Sequence, residues 1–385
     1  MEMKFKELSS MVIRDYPYPI ASLFQKYNKI PTDNYAVRHN QLCDIFEATL
    51  KLLAIVLMKE AVQNQLLGFC FPYGMDFIKH PSLGHWMTII REIAKNKSDD
   101  SSTWTHKVAE WLFGTVPSQE ILKHYAALPE VSFPPGRGQV AGILNSLVTY
   151  RNQVWKGHGV AVVSEDSLAG RVAAIEQLFV VLFATAPFFQ QMNLFYVKEV
   201  KKVGKNKHEA NCASLVGAQL DFAKYVYDDF EPKEIYLAPT RETELKAEPL
   251  MISPLAEMQV NNNNLQFYFF NDAKRSKLQY LSYADGSFYY FKEDRSKSEK
   301  WNGLGISRFG NNKNKYVSDL TNLSKRNLKL WTKLSLSGFE SLQNVDGLSN
   351  LTKLTKLDLS RCESLQNVDG LSNLTNLTEL DLRRC

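Results

Sequence analysis

The strongest constraint on this chain is a tandem repeat near its C-terminal end. Residues 334–356 read LSLSGFESLQNVDGLSNLTKLTK and residues 357–379 read LDLSRCESLQNVDGLSNLTNLTE. The two copies agree at 18 of 23 positions, and a third begins at LDLRRC. A unit this short cannot bury its own leucines, so copies must stack and each must cover the next. The Leu-x-Leu pairs 334/336 and 357/359 predict a short strand with both leucines inward and residue 335 or 358 outward. Cys362, or Phe339 in the earlier copy, tucks in where the chain turns, and the leucines of GLSNLTNL close the far side. About three copies are needed for stability, and 316–333, YVSDLTNLSKRNLKLWTK, reads as a degenerate first one.

The run Leu354-x-x-Leu357-x-Leu359-x-x-Cys362 resembles the leucine-rich-repeat signature. The resemblance implies a short solenoid whose stacked strands form a broad protein-binding face. Ser335, Asp358 and Asp381, the outward positions of three successive strands, are then the residues that meet a protein partner.

The rest of the chain has two textures. Up to about residue 192, apolar residues recur at three- and four-residue spacing, as in NQLCDIFEATLKLLAIVLMKEAV (40–62), HKVAEWLFGTV (106–116) and GQVAGILNSLVTYRNQVW (138–155). SEDSLAGRVAAIEQLFVVLFAT opens with a helix-start signal at Ser164 and stops before Pro187. From 193 to 300 the pattern alternates in Tyr-, Phe- and Val-rich runs such as LFYVKEVKKV, EIYLAP, LQFYFFND and SFYYFKED, and YADG reads as a tight turn. The expectation is an α+β multidomain protein: a helical bundle at 1–192, a small antiparallel β module at 193–300, a linker at 301–315 and a leucine-rich-repeat solenoid at 316–385.

Charge and cysteine usage narrow the function classes. Lys and Arg number 46 against 41 Asp and Glu, a net +5, well short of a dedicated nucleic-acid binder. The five cysteines form no C-x-x-C pair and no Cys/His zinc spacing, which fits a reducing compartment. FPPGRG (133–138) lacks the ending of a phosphate loop, YDDFEPKE (227–234) does not match a calcium loop, and there is no G-x-S-x-G. No cofactor and no metal are expected. The N-terminus carries charge and proline where a signal peptide is apolar, and the longest apolar run, 178–189, is too short to span a bilayer. A soluble cytoplasmic protein with no membrane contact is expected.

One stretch carries possible chemistry. LVTYRNQVWKGHGV (147–160) sets Arg151 and Asn152 beside each other, with His158 seven residues after the arginine, about two helical turns away on nearly the same face. Arg-Asn followed by this histidine resembles the motif of the HEPN (higher eukaryotes and prokaryotes nucleotide-binding) superfamily of helical domains. The resemblance implies a metal-independent ribonuclease working as a homodimer. Arg151 would hold the scissile phosphate, His158 would act as general acid or base, and Asn152 would orient the site. The flanking Gly157 and Gly159 depart from a continuous helix. The competing reading is a helix end: glycine as a left-handed cap, histidine at the negative end of the dipole, and Arg151 paired with Glu165, Asp166 or Glu176. The run KEVKKVGKNK (198–207) reads as a solvated hairpin that adds phosphate affinity at most. Residues 254–291 are similar to a small module that follows such helical domains in bacterial signalling and defence proteins.

These features lead to a sensor or adaptor of a bacterial signalling or conflict system. It would bind a protein partner through its repeats and dock or dimerise through its helical domain. The alternative is an endoribonuclease using Arg151 and His158, with RNA as substrate and the repeats as regulator.

Overall fold

The computed structural model describes residues 3–64, 66–71, 76–97, 99–116, 118–132, 139–155, 165–205, 207–238, 242–261, 264–274, 277–292, 333–336, 342–349 and 351–385. His158, the linker at 301–315 and most of the degenerate first repeat therefore lie outside the described residues. By contact the chain divides into two units. The first comprises Met1–Ile55, His80–Met87 and Trp111–Glu293; the second comprises Val56–Lys79, Thr88–Glu110 and Asp294–Cys385.

The N-terminal part is helical: α1 (Phe5–Asp15), α2 (Tyr18–Lys29), α3 (Tyr35–Gln63), α4 (Leu67–Cys70), α5 (Leu83–Lys95), α6 (Trp104–Leu112), α7 (Ser118–Tyr125), α8 (Val140–Tyr150) and α9 (Glu165–Ala184). Local chemistry starts the first two. The backbone N–H of Lys4 donates to Glu7 Oε2 at 3.1 Å, satisfying one of the orphan donors at the start of α1. Pro19 sits in the first turn of α2, where it displaces no helical hydrogen bond. That helix then buries Ile20, Leu23, Phe24 and Tyr27, one stripe at helical spacing.

Helix α3 is different. Leu50 and every residue from Leu52 to Met58 are fully buried, so no face of this stretch is left for solvent. A helix apolar all round belongs in the middle of a core. Within the first unit, Phe24, Phe179, Phe183 and Phe189 pack as an aromatic cluster, with Phe24 and Phe183 edge to face at 5.5 Å. Trp111 joins it, and its indole N–H donates to the Leu182 carbonyl at 3.1 Å, so its one polar atom is satisfied. The 18 residues Ser167–Ala184 are long and apolar enough to cross a membrane by composition, and half of that stretch is buried within the fold.

In the second unit, Glu60 of α3 caps α6. Its carboxylate accepts from the backbone N–H groups of Trp104 and Thr105 at 2.8 and 2.6 Å, and from the Thr105 hydroxyl at 2.6 Å. A buried carboxylate at the positive end of a helix dipole does here what a serine or aspartate N-cap does elsewhere.

Two antiparallel sheets follow the helices. The first comprises β1 (Asn193–Lys202), β2 (His208–Ser214), β3 (Asp221–Tyr227), β4 (Ile235–Ala238) and β5 (Leu250–Met251), in the order β3-β2-β1-β4-β5. Alternate residues Phe195, Val197, Ala210, Cys212, Tyr225 and Tyr236 form its own small core, closed by Phe230 and Leu245. The second is a meander of β6 (Ala256–Asn261), β7 (Asn264–Lys274), β8 (Lys277–Leu281) and β9 (Phe288–Lys292). The YADG stretch does turn the chain between β8 and β9, with Gly286 at φ 74°, a conformation that a side chain disfavours. The architecture is thus mixed α+β, helical first and antiparallel after. Strands β2, β3, β5 and β6 went unforeseen because short runs broken by polar residues carry weak alternation.

At the C-terminal end, β10 (Lys333–Ser335), β11 (Lys356–Asp358) and β12 (Glu379–Asp381) form a three-stranded parallel sheet. Each residue pairs with its counterpart 23 positions on, Leu334 with Leu357 and Leu357 with Leu380. Leu336, Leu342, Val345, Leu348, Leu351, Leu354, Leu357 and Leu359 are buried between the copies. Cys362 donates its S–H to the Leu336 carbonyl at 3.1 Å, so the tucked position also ties one copy to the one before. Gly370 is obligatory for a different reason: a Cβ there would lie 2.2 Å from the Val345 carbonyl oxygen of the preceding copy.

Candidate functional site

The singled-out Arg151 stands where α8 changes gauge. Residues Arg151–Trp155 continue the helix as a single π turn, in which the backbone bonds reach one residue further than in an α-helix. The α-helical spacing that would bring residue 158 under residue 151 therefore does not hold through this turn, and His158 itself is outside the described residues. The expected carboxylate partners of Arg151 also change. Arg151 Nε donates to Glu47 Oε1 at 2.8 Å, and Nη1 donates to Asn152 Oδ1 at 3.2 Å. Glu176 is engaged elsewhere, accepting from Arg38 Nη2 at 2.7 Å and from the Tyr27 hydroxyl. Asn152 is exposed beside Arg151.

Glu47 belongs to a polar stripe on α3. His39, Cys43, Glu47 and Lys51 recur every four residues and so share one helix face. His39, Glu47 and Lys51 are each about 5% exposed or less, and groups this polar are buried only when partnered.

His39 Nε2 lies 2.9 Å from the Tyr150 hydroxyl. Arg171 Nη1 donates to that same oxygen at 3.0 Å, and its guanidinium holds Glu130 through two bonds of 2.7 and 2.6 Å. Arginine only donates, so the phenol oxygen accepts from Arg171 and shares its remaining hydrogen-bonding capacity with the His39 ring. Burial, and then the Arg171 charge, lower the His39 pKa to about 4. Burial raises Tyr150 to about 12. The hydrogen bond from Arg171 holds Glu130 below the usual carboxylate range, and its partner Arg171 is raised in turn.

The second half of the stripe is centred on Glu47. Besides Arg151, its carboxylate accepts from the Tyr283 hydroxyl at 2.8 Å and the Cys43 S–H at 3.5 Å. Burial opposes the Arg151 charge, but Glu47 outweighs it and the Arg151 pKa is raised. Tyr283 is pushed far above the ordinary phenol range, first by burial and then by Glu47. One turn on, Lys51 Nζ donates to Asn271 Oδ1 at 3.2 Å and stands 5.3 Å from the centre of the Tyr283 ring. Asn271 passes the network to Gln279 at 3.0 Å, and Gln279 to Tyr290 at 2.8 Å. One stripe of α3 thus clasps the π turn on one side and the β7–β9 meander on the other.

This arrangement holds charge and does not present it. The Arg151 guanidinium is a quarter exposed and already satisfied by a carboxylate 6% exposed. Among the described residues, no three His, Cys, Asp or Glu side chains converge as a metal-ion ligand set. Sequence reasoning missed His39, Glu47, Lys51 and Tyr283. The signal for His39, Glu47 and Lys51 was present as polar residues at four-residue intervals inside the apolar run 40–62 and just before it, and Tyr283 carried none.

The repeat positions behave differently. Ser335, Asp358 and Asp381 line up on adjacent strands, Ser335 beside Asp358 and Asp358 beside Asp381. Asp358 Oδ1 accepts from the Ser360 N–H at 2.9 Å, and Asp381 Oδ1 from the Arg383 N–H at 3.0 Å. Each aspartate thereby closes the turn after its own strand. The Arg383 guanidinium holds Asp381 down at about 2. Beside them Lys356 and Glu379 form an exposed ion pair across the strands. Among the described side chains, Lys356, Asp358, Glu379 and Asp381 make β11 and β12 a polar pair of strands, of mixed charge and in register.

No protein-family model, curated protein or solved structure matches this chain.

Proposed function

We propose that this chain is an interaction protein, a sensor or adaptor, whose repeats act as a short leucine-rich-repeat solenoid and bind a protein partner on their strand face. The observation that carries this reading is the in-register parallel ladder at β10–β12 with its polar, mixed-charge outer positions. Stacked solenoid strands present a broad surface suited to contact with another protein. The engagement of Arg151 with Glu47 supports the same side of the question, because a ribonuclease needs that cation free for phosphate.

Two experiments test it. The first identifies the partner by affinity capture with the full chain and repeats the capture with Lys356→Glu/Glu379→Lys. This swap keeps an exposed pair worth only about 0–1 kcal/mol and inverts the surface. Loss of the captured protein, with an unchanged melting temperature, is expected; undiminished capture sinks the assignment of the face. The second incubates the chain with RNA in EDTA beside Arg151→Ala. Cleavage by the wild type alone, leaving cyclic-phosphate ends, overturns the adaptor reading in favour of an endoribonuclease.

A further inference from the structure

The β1–β2 hairpin carries a surface that neither the clasp nor the repeats use. Its base is anchored, since Val200 packs against the small core of the first sheet. Beyond that point the arm is bare: Lys201, Lys202, Val203, Gly204, Lys205 and Lys207 are all exposed. The strands stay paired out to Lys202 and His208, and Val203 N–H donates to the Lys207 carbonyl at 3.0 Å to close the tip. At the base, a β-bulge at Lys198 shifts the register between Val197 and Glu199, a feature that bends and twists a strand.

The charges on the arm are unbalanced. Lys207 pairs with Glu244, and Lys224 of β3 pairs with Glu209. Lys198, Lys201, Lys202 and Lys205 have no carboxylate partner among the described residues, and Glu199 is the one acid between 198 and 207. At the tip stands Val203, an apolar side chain 56% exposed amid these lysines.

The geometry points to a tip-on contact with an anionic phospholipid bilayer. We infer that the arm is a peripheral membrane contact in which Val203 enters the headgroup region and Lys201, Lys202 and Lys205 form a collar around it. Three observations select this occupant over nucleic acid. Lys201 and Lys202 are consecutive in a strand and project to opposite faces. A ligand lying along one face meets only one of them, whereas a plane met by the tip is within reach of both. The arm from 198 to 207 has lysines only, with none of the bidentate arginines or stacking aromatics that single-stranded nucleic acid uses. An apolar residue at the tip has a place in a lipid interface and none on a phosphate backbone. The expectation of no membrane contact rested on the absence of a spanning run, and a surface contact requires none.

The test is co-sedimentation of the full chain with vesicles of phosphatidylserine and phosphatidylcholine in equal parts, beside phosphatidylcholine alone. Each lysine near such a surface is worth about a fivefold change in partitioning. The expected result is sedimentation with the anionic vesicles only, weakening as salt rises. Lys201→Gln/Lys202→Gln/Lys205→Gln should lower the partition coefficient about a hundredfold, and Val203→Asp should lower it further. Because these side chains are exposed, an unchanged circular dichroism spectrum and melting temperature will show that each variant is folded. The inference fails if the wild type does not sediment with anionic vesicles, or if the triple variant sediments as well as the wild type. It also fails if the same lysines are needed for single-stranded RNA while vesicles are ignored, which makes the arm a nucleic-acid contact.

Discussion

Removing Arg151 tests whether the clasp is structural. In Arg151→Ala the Glu47 carboxylate, 6% exposed, keeps the Tyr283 hydroxyl and the Cys43 S–H but loses the Arg151 guanidinium. An uncompensated buried charge costs about 3–5 kcal/mol. The reverse change, Glu47→Leu, is milder, because Arg151 is a quarter exposed and can turn its guanidinium to water. It strands the Tyr283 hydroxyl, a cost of about 1–3 kcal/mol. The double variant strands the same groups as Glu47→Leu, so it should lie near that variant and well above Arg151→Ala in stability. The cycle therefore predicts a coupling of about 3–5 kcal/mol between two residues far apart in sequence. Urea unfolding followed by circular dichroism measures all four proteins. At about 2 °C per kcal/mol for a unit of this size, Arg151→Ala should melt about 6–10 °C lower. A loss under about 1 kcal/mol for Arg151→Ala, with additive effects in the cycle, would falsify the clasp and return Arg151 to the candidates for ligand binding.

Two further outcomes follow from the same geometry. His39 is neutral in the folded chain with a pKa of about 4, below its ordinary value of about 6.5. The unfolded chain then binds the extra proton between these values, so its contribution to stability is complete above about pH 6.5 and is lost as pH falls toward 4. The full loss is on the order of 3 kcal/mol. Urea midpoints at pH 7 and 4.5 should converge in His39→Gln relative to wild type, and an identical pH slope in the two proteins refutes the assignment. In the repeats, Gly370→Ala forces a Cβ onto the Val345 carbonyl, and overpacking against backbone should cost about 3 kcal/mol. Hydrogen exchange at the Leu357 and Leu359 amides should accelerate; unchanged protection there refutes the close approach between copies.

Several features were legible in the chain because they are local and periodic. The 23-residue repeat dictated that residue n lies beside residue n+23, and Leu334, Leu357 and Leu380 do so. Asp358 and Asp381 fall side by side on β11 and β12, and their carboxylates also close turns, which the repeat pattern does not announce. Helical spacing marked α3, α6, α8 and α9, and alternation marked β1, β4, β7, β8 and β9. The stop signals worked as well: α9 ends before Pro187 and β1 begins at Asn193.

What the tertiary structure alone decided is the fate of the charges. The sequence placed Arg151 near three acids of its own neighbourhood, yet its partner is Glu47, 104 residues away. The four-residue spacing inside an apolar run sets Glu47 apart, but its partners are fixed by what packs around α3 and not by its own helix. The same holds for His39, whose proton is expelled by burial and by Arg171 from α9, and for Tyr283, which reaches Glu47 from the far end of the β module. A repeat encodes its contacts in its period. A buried ion pair depends on long-range packing, and so it becomes visible only once the chain has folded.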